Sequence, residues 1–244
     1  MIRVQSVHKR FRRHVLKGVS LEIKKGEVFA LIGPGASGKS VLFKSIAGLL
    51  PIDDGSIEVD RSEITQMDEF ELAELRKRMG YLFQNYALFD FLTVGQNIAF
   101  PLRRLLNLSD NEVAHRVAER LERVNLSGFQ DRDIRQLSGG QKKRVGFARA
   151  TVTKPPIRLY DEPTAGLDPV TSQKIYDLIL ADQREVGATV VVISSDVAGV
   201  MTIADRVGML LRGELIFEGT AEEAQRADDP RVLQFVHGHT EGPL

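Results

Sequence analysis

Val28-Phe29-Ala30-Leu31-Ile32 runs without a polar break into Gly33-Pro34-Gly35-Ala36-Ser37-Gly38-Lys39-Ser40, and the reading of the fold turns on this stretch. An uninterrupted apolar run of this length predicts a strand buried on both faces, as in a parallel sheet covered by helices. The residues from Gly33 to Ser40 satisfy G-x-x-x-x-G-K-[ST], and a helical pattern opens at Val41 and continues to Leu50. A strand before and a helix after are the context this motif requires. Glycines let the main chain turn tightly enough for several N–H groups to converge on phosphate oxygens, with the positive end of a helix dipole behind them. Lys39 directs a full charge at the β- and γ-phosphates, and Ser40 is placed to ligate Mg²⁺. A glycine-rich turn without a ligand is the competing reading; the complete match makes a nucleoside triphosphate site over Gly33 to Val41 the expectation.

Outward from this point, Tyr81 to Phe83, Leu159 to Tyr160 and Val190 to Ile193 repeat the pattern of short apolar runs beside helical stretches. They predict further strands buried on both faces, and so an α/β fold built on a mostly parallel sheet. Arg3 to Val7, Leu21 to Ile23 and Ile57 to Val59 alternate or sit beside turn residues, as does Val207 to Leu211, followed by Arg212-Gly213 and Leu215 to Glu218. These predict antiparallel strands and hairpins. Between Phe91 and Gly128 the pattern turns helical, with Val113, Val117, Leu121 and Val124 on one face and Ser109-Asp110 as the N-cap. Ile175, Leu178 and Ile179 mark another amphipathic helix. One domain is expected over residues 1–225, with a helical subdomain inserted at about 88–150. The polar residues 226–244 are expected to be a tail that packs on something else or serves an interface.

A second cluster of chemistry lies at Ile157-Arg158-Leu159-Tyr160-Asp161-Glu162-Pro163, where an apolar strand delivers two adjacent acids to its C-terminal end. Ligands of open parallel sheets bind at that edge. Asp161 is expected to hold Mg²⁺, and Glu162 to polarise an attacking water as general base. Two acids before a proline also fit a solvated turn, a reading weakened by the phosphate loop elsewhere in the chain. Leu137-Ser138-Gly139-Gly140-Gln141 precedes a basic helix over Lys142 to Ala150, which makes a second anion cradle at a helix N-terminus.

Composition narrows the class. At 244 residues, 43% hydrophobic and 27% charged, the chain has the profile of a globular protein with a sizeable core. Its longest aliphatic run, Val190 to Ile193, falls far short of the ~20 apolar residues that a bilayer-spanning helix needs. Met1-Ile2-Arg3-Val4 leads into a strand-like stretch with no apolar leader region, so no secretory signal is expected. With no cysteine, neither disulfides nor thiolate metal sites arise. Thirty-three Lys and Arg balance thirty-three Asp and Glu, whereas a nucleic-acid binder is usually basic, so nucleic acid is not expected as a partner.

Phosphate loop, Leu-Ser-Gly-Gly-Gln and Asp-Glu, in this order, resemble the ATPase subunit of an ABC transporter, and the resemblance runs from about residue 2 to the end of the chain. It implies a P-loop NTPase-type mostly parallel sheet with an antiparallel β subdomain and a helical signature subdomain. It also implies ATP and Mg²⁺ as ligands and gives roles to single residues. Phe11 stands where an aromatic ring stacks on adenine, although an aromatic among Lys9, Arg10, Arg12 and Arg13 also fits a solvated strand edge. Gln84 corresponds to the glutamine that contacts Mg²⁺ and the nucleophilic water. Asp168, in Ala165-Gly166-Leu167-Asp168, corresponds to the loop coupling two sites. Each ATP in this family lies between the phosphate loop of one cassette and the Ser-Gly-Gly signature of another, so a head-to-tail homodimer is implied.

A separate integral membrane permease is then required. Leu82 to Phe89, Thr93-Val94 and Asn97 to Arg103 place apolar side chains where a permease helix docks in the family, with Phe89 and Phe91 around Asp90 expected to be exposed. These residues, together with the tail Asp229 to Phe235, Gly238 and Gly242-Pro243, look most like the ATPases of the bacterial Mla phospholipid-trafficking system and other MCE-protein transporters. That implies a lipid-moving permease, an MCE-domain protein, a STAS-like subunit as a further partner, and a place on the cytoplasmic face of the bacterial inner membrane. An importer of small polar solutes shares the middle motifs and is the alternative.

One position departs from the family. Where a histidine touching the γ-phosphate is expected, the chain reads Ser194-Ser195-Asp196, and its histidines, His8, His14, His115, His237 and His239, all lie elsewhere. Ser195 offers a hydroxyl that is too short to span the reach of an imidazole. Either a water bridges Ser195 to phosphate, or a tail histidine reaches in, or hydrolysis is slow. Slow hydrolysis would suit an ATP-gated dimerising module that assembles or gates a membrane complex. A soluble ABC protein of translation or DNA repair is disfavoured by the single cassette and the neutral charge.

Overall fold

The computed structural model describes residues 2–244; Met1, the first residue of the stretch read for a leader, lies outside them. β1 (Ile2–Arg10) and β2 (His14–Ile23) pair antiparallel, after which β3 (Val28–Ile32) enters the phosphate loop and α1 (Lys39–Ile46) leaves it. β4 (Asp54–Val59) returns to β1, β5 (Ser62–Glu63) forms a short edge, and α2 (Glu69–Arg76) leads to β6 (Met79–Leu82). α3 (Val94–Leu105), α4 (Asp110–Arg123) and α5 (Gly139–Thr151) follow before the chain re-enters the sheet at β7 (Ile157–Asp161). Next come α6 (Pro169–Val186), β8 (Thr189–Ile193), α7 (Val197–Met201), the hairpin of β9 (Arg206–Leu211) and β10 (Glu214–Thr220), α8 (Ala221–Gln225) and α9 (Pro230–His237).

These strands make an antiparallel sheet ordered β2-β1-β4-β5 and a larger sheet ordered β10-β9-β3-β8-β7-β6. The larger sheet is parallel except where β10 meets β9. Alternation along its buried strands divides the interior in two. Val28, Ala30 and Ile32 of β3 face the helices α3 to α7, while Phe29 and Leu31 face α1 and the antiparallel sheet. Fully burying each such large apolar side chain contributes ~1.5–3 kcal/mol, so both faces of β3 hold the phosphate loop in place.

Several boundaries differ from expectation for identifiable reasons. The strand read at Tyr81 to Phe83 is Met79–Leu82, and it alternates between half-buried and buried because it is the sheet edge. Tyr81 and Phe83 stack on each other, with centroids 4.1 Å apart. α1 stops at Ile46, short of Leu50, because the left-handed Gly48 and then Pro51 end it. β9 is antiparallel only toward β10; toward β3 it pairs parallel, since α7 carries the chain back across the sheet. The stretch from Ala221 carries the two short helices α8 and α9, and Ala224, Ala227 and Val232 are buried; its few core side chains are small and widely spaced, so no period shows in the sequence.

Ser109 caps α4, accepting from the Glu112 N–H while the Glu112 carboxylate returns to the Ser109 N–H. A buried ion network binds this helical block to the sheet. Asp182 on α6 pairs with Arg120 of α4 at 2.6 Å and with Arg158 of β7, and Arg120 also donates to Thr151 at the end of α5 at 2.9 Å. Arg158 is wholly buried in the strand that carries the acids. Buried arginines of this kind persist only with their partner in place.

Candidate functional site

The phosphate loop needs glycine at two positions where the backbone is left-handed and closely overlaid. A Cβ on Gly33 (φ 140°) would lie 2.1 Å from the Leu210 carbonyl oxygen of β9, and one on Gly38 (φ 109°) would meet Leu16 and the Val15 carbonyl. Gly38 caps α1 without a side-chain bond, and no acid stands in the helix's first turn, so its leading N–H groups remain available to an anion. In front of them opens a cleft of about 500 Å³, lined by residues 36–41 together with Arg13, His14, Val15, Lys17 and Arg212. Four cations, Arg13, Lys17, Lys39 and Arg212, thus line one concavity, as a polyphosphate requires. Arg212 at the β9–β10 turn, far from the motif in sequence, was not foreseen.

Lys39 is nearly buried, and its ammonium donates to the carbonyls of Gly33 (2.6 Å) and Pro34 (2.9 Å). Burial lowers its pKa, opposed by the charges of Glu162 and Asp161. Phe11, in the turn between β1 and β2, is half exposed with the Lys9 ammonium 5.5 Å from its ring centroid. It stands two residues before Arg13 of the cleft without lining the cleft itself.

The carboxyl ends of neighbouring strands bring the other predicted groups together. Leu82 pairs with Tyr160 and Asp161 with Ile193, so Gln84 after β6, Asp161 at the end of β7 with Glu162 after it, and Ser195 after β8 share the edge from which the phosphate loop leaves β3. Gln84 is exposed there. Asp161 is buried, and its Oδ1 has no hydrogen-bond partner. Burial and neighbouring Glu162 raise its pKa, while Lys44 and Lys39 pull it down. A buried carboxylate oxygen without a donor, at the sheet edge from which the phosphate loop and exposed Ser40 also leave, is an oxygen set suited to a hard cation, so these residues fit Mg²⁺.

Glu162 adopts φ 52°, a conformation that costs a non-glycine residue ~1–3 kcal/mol. Its N–H donates to the Ile193 carbonyl (2.9 Å), and its carbonyl accepts from the Lys143 ammonium (3.3 Å). Its Oε2 accepts from both the N–H (2.9 Å) and the hydroxyl (2.8 Å) of Ser195. The hydroxyl read as a group facing phosphate is therefore bonded to the neighbouring acid. Lys143 also donates to the Ala165 carbonyl, and burial lowers its pKa to about 8. Sequence reading missed Lys143, although its helical spacing from Phe147 and Ala150 marks the buried face of α5.

The signature stands apart from the cleft, which takes no lining residue from 137–141. Leu137 is buried; Ser138 caps α5 by accepting from the Gln141 N–H, and the Gln141 side chain accepts from the Ser138 N–H at 2.9 Å. Ser138 and Gly139 are exposed at this helix start, and Gly140 is half-buried. Asp168 caps α6 through the Thr171 N–H at 2.9 Å, a bond that holds its carboxyl below the usual range. Phe91 is 80% exposed as expected, whereas Phe89 is half-buried against Phe100, with centroids 4.9 Å apart. The wholly buried Asn97 fixes the Phe89 backbone through its N–H (2.9 Å) and carbonyl (3.0 Å), a tether that spacing alone does not reveal.

Residues 16–165 match the sequence model of the family described as ABC transporter. The chain is 38% identical over its full length to the probable ribonucleotide transport ATP-binding protein mkl of Mycobacterium leprae, of which it covers 70%. It is 43% identical over 91% of its length to the methionine import ATP-binding protein MetN of Caulobacter vibrioides, covering 68% of that protein. With the intermembrane phospholipid transport system ATP-binding protein MlaF of Haemophilus influenzae it shares 37% identity over 97% of its length and 89% of the relative's. Among solved structures, a dimeric post-hydrolysis ATP-binding cassette bound to ADP and Pi superposes with a TM-score of 0.86 at 33% identity, over 91% of this chain and 99% of that one. A cassette of the Clostridium perfringens cbiONQ transporter complex gives 0.84 at 31% identity, over 98% of this chain and 95% of that one.

Proposed function

This chain belongs to the ABC transporter family as an ATP-binding, ATP-hydrolysing cassette, and we propose that it powers the movement of phospholipid or another lipophilic substrate through a separate permease. Cassettes of this family dimerise and work with a membrane permease. No helix among the described residues is long and apolar enough to cross a membrane. The observation that carries the lipid reading is the pattern of residues Leu82 to Phe89 and of the tail Asp229 to Phe235, which resembles the Mla group, supported by 37% identity to MlaF over 97% of this chain. An MCE-domain protein and a STAS-like subunit accompany it on this reading, at the cytoplasmic face of a bacterial inner membrane.

ATP binds in the cleft of one copy with its phosphates against the loop of residues 33–41 and the free main-chain N–H groups at the start of α1, and the Ser138-Gly139-Gly140 helix start of a second copy closes over it. Lys39 exchanges its loop carbonyls for phosphate oxygens, and Phe11 stacks on the base. Ser40, Asp161 and Gln84 would hold Mg²⁺, which when bound would supply neutralising charge at the phosphates. Glu162 takes the proton of the attacking water, and Asp168 couples one site to the other. The exposed ring of Phe91 offers a docking surface to the permease.

The test is ATPase activity of the chain purified with its permease in lipid nanodiscs. Phospholipid is expected to raise turnover, and stimulation by methionine or a ribonucleotide in its place would overturn the lipid reading. A second reading, an ATP-gated dimer with little turnover, is favoured by serine at 195 in place of the family's histidine; turnover below that of subunit exchange would establish it.

A further inference from the structure

We propose that Ser195 is a positioning residue for Glu162, fixing the carboxylate so that one of its oxygens faces the water. The inference rests on reading Glu162 as the base. Both donors of Ser195, the N–H at 2.9 Å and the hydroxyl at 2.8 Å, go to Oε2, which leaves Oε1 as the oxygen that receives a proton. Such a clamp has a reason to exist at this residue. Glu162 sits at φ 52° and is half-buried, and a carboxylate on a strained turn samples several rotamers unless something holds it.

The turn that presents Ser195 is itself held. Thr164, two residues beyond Glu162, bonds to the Tyr176 hydroxyl at 3.0 Å, and Tyr176 bonds to Ser194 at 3.0 Å, all three being buried. The loop after β7 and the loop after β8 are thus tied by two parallel bridges. The buried one, Thr164-Tyr176-Ser194, sets the spacing of the loops, and the exposed one, Ser195 to Glu162, sets the direction of the carboxylate. Serine therefore acts through the acid, across a distance that a hydroxyl can span.

Steady-state hydrolysis by the full chain with Mg-ATP tests this, alongside binding of a fluorescent ATP analogue. Loss of one positioning bond should lower kcat of Ser195→Ala about tenfold with KM within about twofold of the parent, since the bond acts on the reacting geometry and not on nucleotide binding. Ser195→Thr, which keeps the hydroxyl, should recover most of the loss. Unchanged kcat in Ser195→Ala, a KM that rises in step with the loss, or no recovery in Ser195→Thr would overturn the proposal. A cycle with Glu162→Asp guards against misfolding: the two effects should be far from additive if Ser195 acts through the acid, and additivity would count against it. Failure of the underlying reading shows separately, as undiminished hydrolysis by Glu162→Gln.

Discussion

The phosphate loop and the Glu162 turn leave the same edge of one sheet, with β8 between their strands, and are built in opposite ways. Lys39 takes its partners from Gly33 and Pro34, inside its own turn, and its phosphate-facing donors are main-chain N–H groups. Glu162 is held by Ser195, Lys143 and Ile193, each from a different part of the chain. The first site is a local backbone shape that survives change around it. The second is an arrangement of side chains that exists only while distant elements stay in register.

Substitutions can break that contrast. The largest effect is expected from Glu162→Gln, because an amide oxygen is a far poorer base; hydrolysis should fall by ~10²–10⁴ while ATP still binds. Size exclusion with ATP and Mg²⁺ should then show a persistent dimer, and hydrolysis at the parent's rate would remove Glu162 from its role.

Asp182→Ala strips Arg120 and Arg158 of their shared partner and leaves buried charge behind, at a cost of ~3–5 kcal/mol. Denaturant titration should register that loss, and at low temperature turnover should suffer before ATP binding does. Equal loss of both would mean that the phosphate loop depends on distant anchoring as much as the acids do.

Lys39→Ala tests the local site by itself. Removing a charge-assisted contact worth ~1.5–3 kcal/mol should weaken binding of a fluorescent ATP analogue by roughly 10–100-fold without moving the melting temperature much. Binding at the parent's affinity would refute the assignment of the loop.

The smallest effect concerns Lys143, whose pKa burial lowers from 10.5 to about 8. Between these values the unfolded chain holds the proton more tightly, so this group's contribution makes the fold more stable as pH rises from 8 toward 10.5 and is lost as pH falls again. Lys143→Met should flatten the rise; denaturation midpoints at the two ends of the window give the comparison, and an unchanged slope would indicate that Lys143 is not desolvated as the structure has it.

Legibility follows the same division. Gly33 to Ser40, the N-cap at Ser109 and the acids after Leu159-Tyr160 were readable because each rests on neighbours a few residues away, where spacing along the chain equals spacing in space. Phe89 misled because its exposure depends on Asn97 and Phe100 folding back beneath it. Arg158 stands in an otherwise apolar strand, and no local signal marks it as wholly buried, since the carboxylate that accommodates it comes from α6. Ser195 could be recognised as a departure from the family, yet its partner could not be found by counting residues.

By itself the sequence determined the buried strand, the phosphate-binding turn after it and the pair of acids, because backbone sterics, helix periodicity and the chemistry of Gly, Lys, Asp and Glu act over short stretches of chain. Only the tertiary structure decided that Arg212 lines the cleft, that Lys143 reaches the turn of Glu162, and that Ser195 bonds to the Glu162 carboxylate. Those contacts are set by strand order and by packing on both faces of the sheet, which bring residues together that no local rule relates.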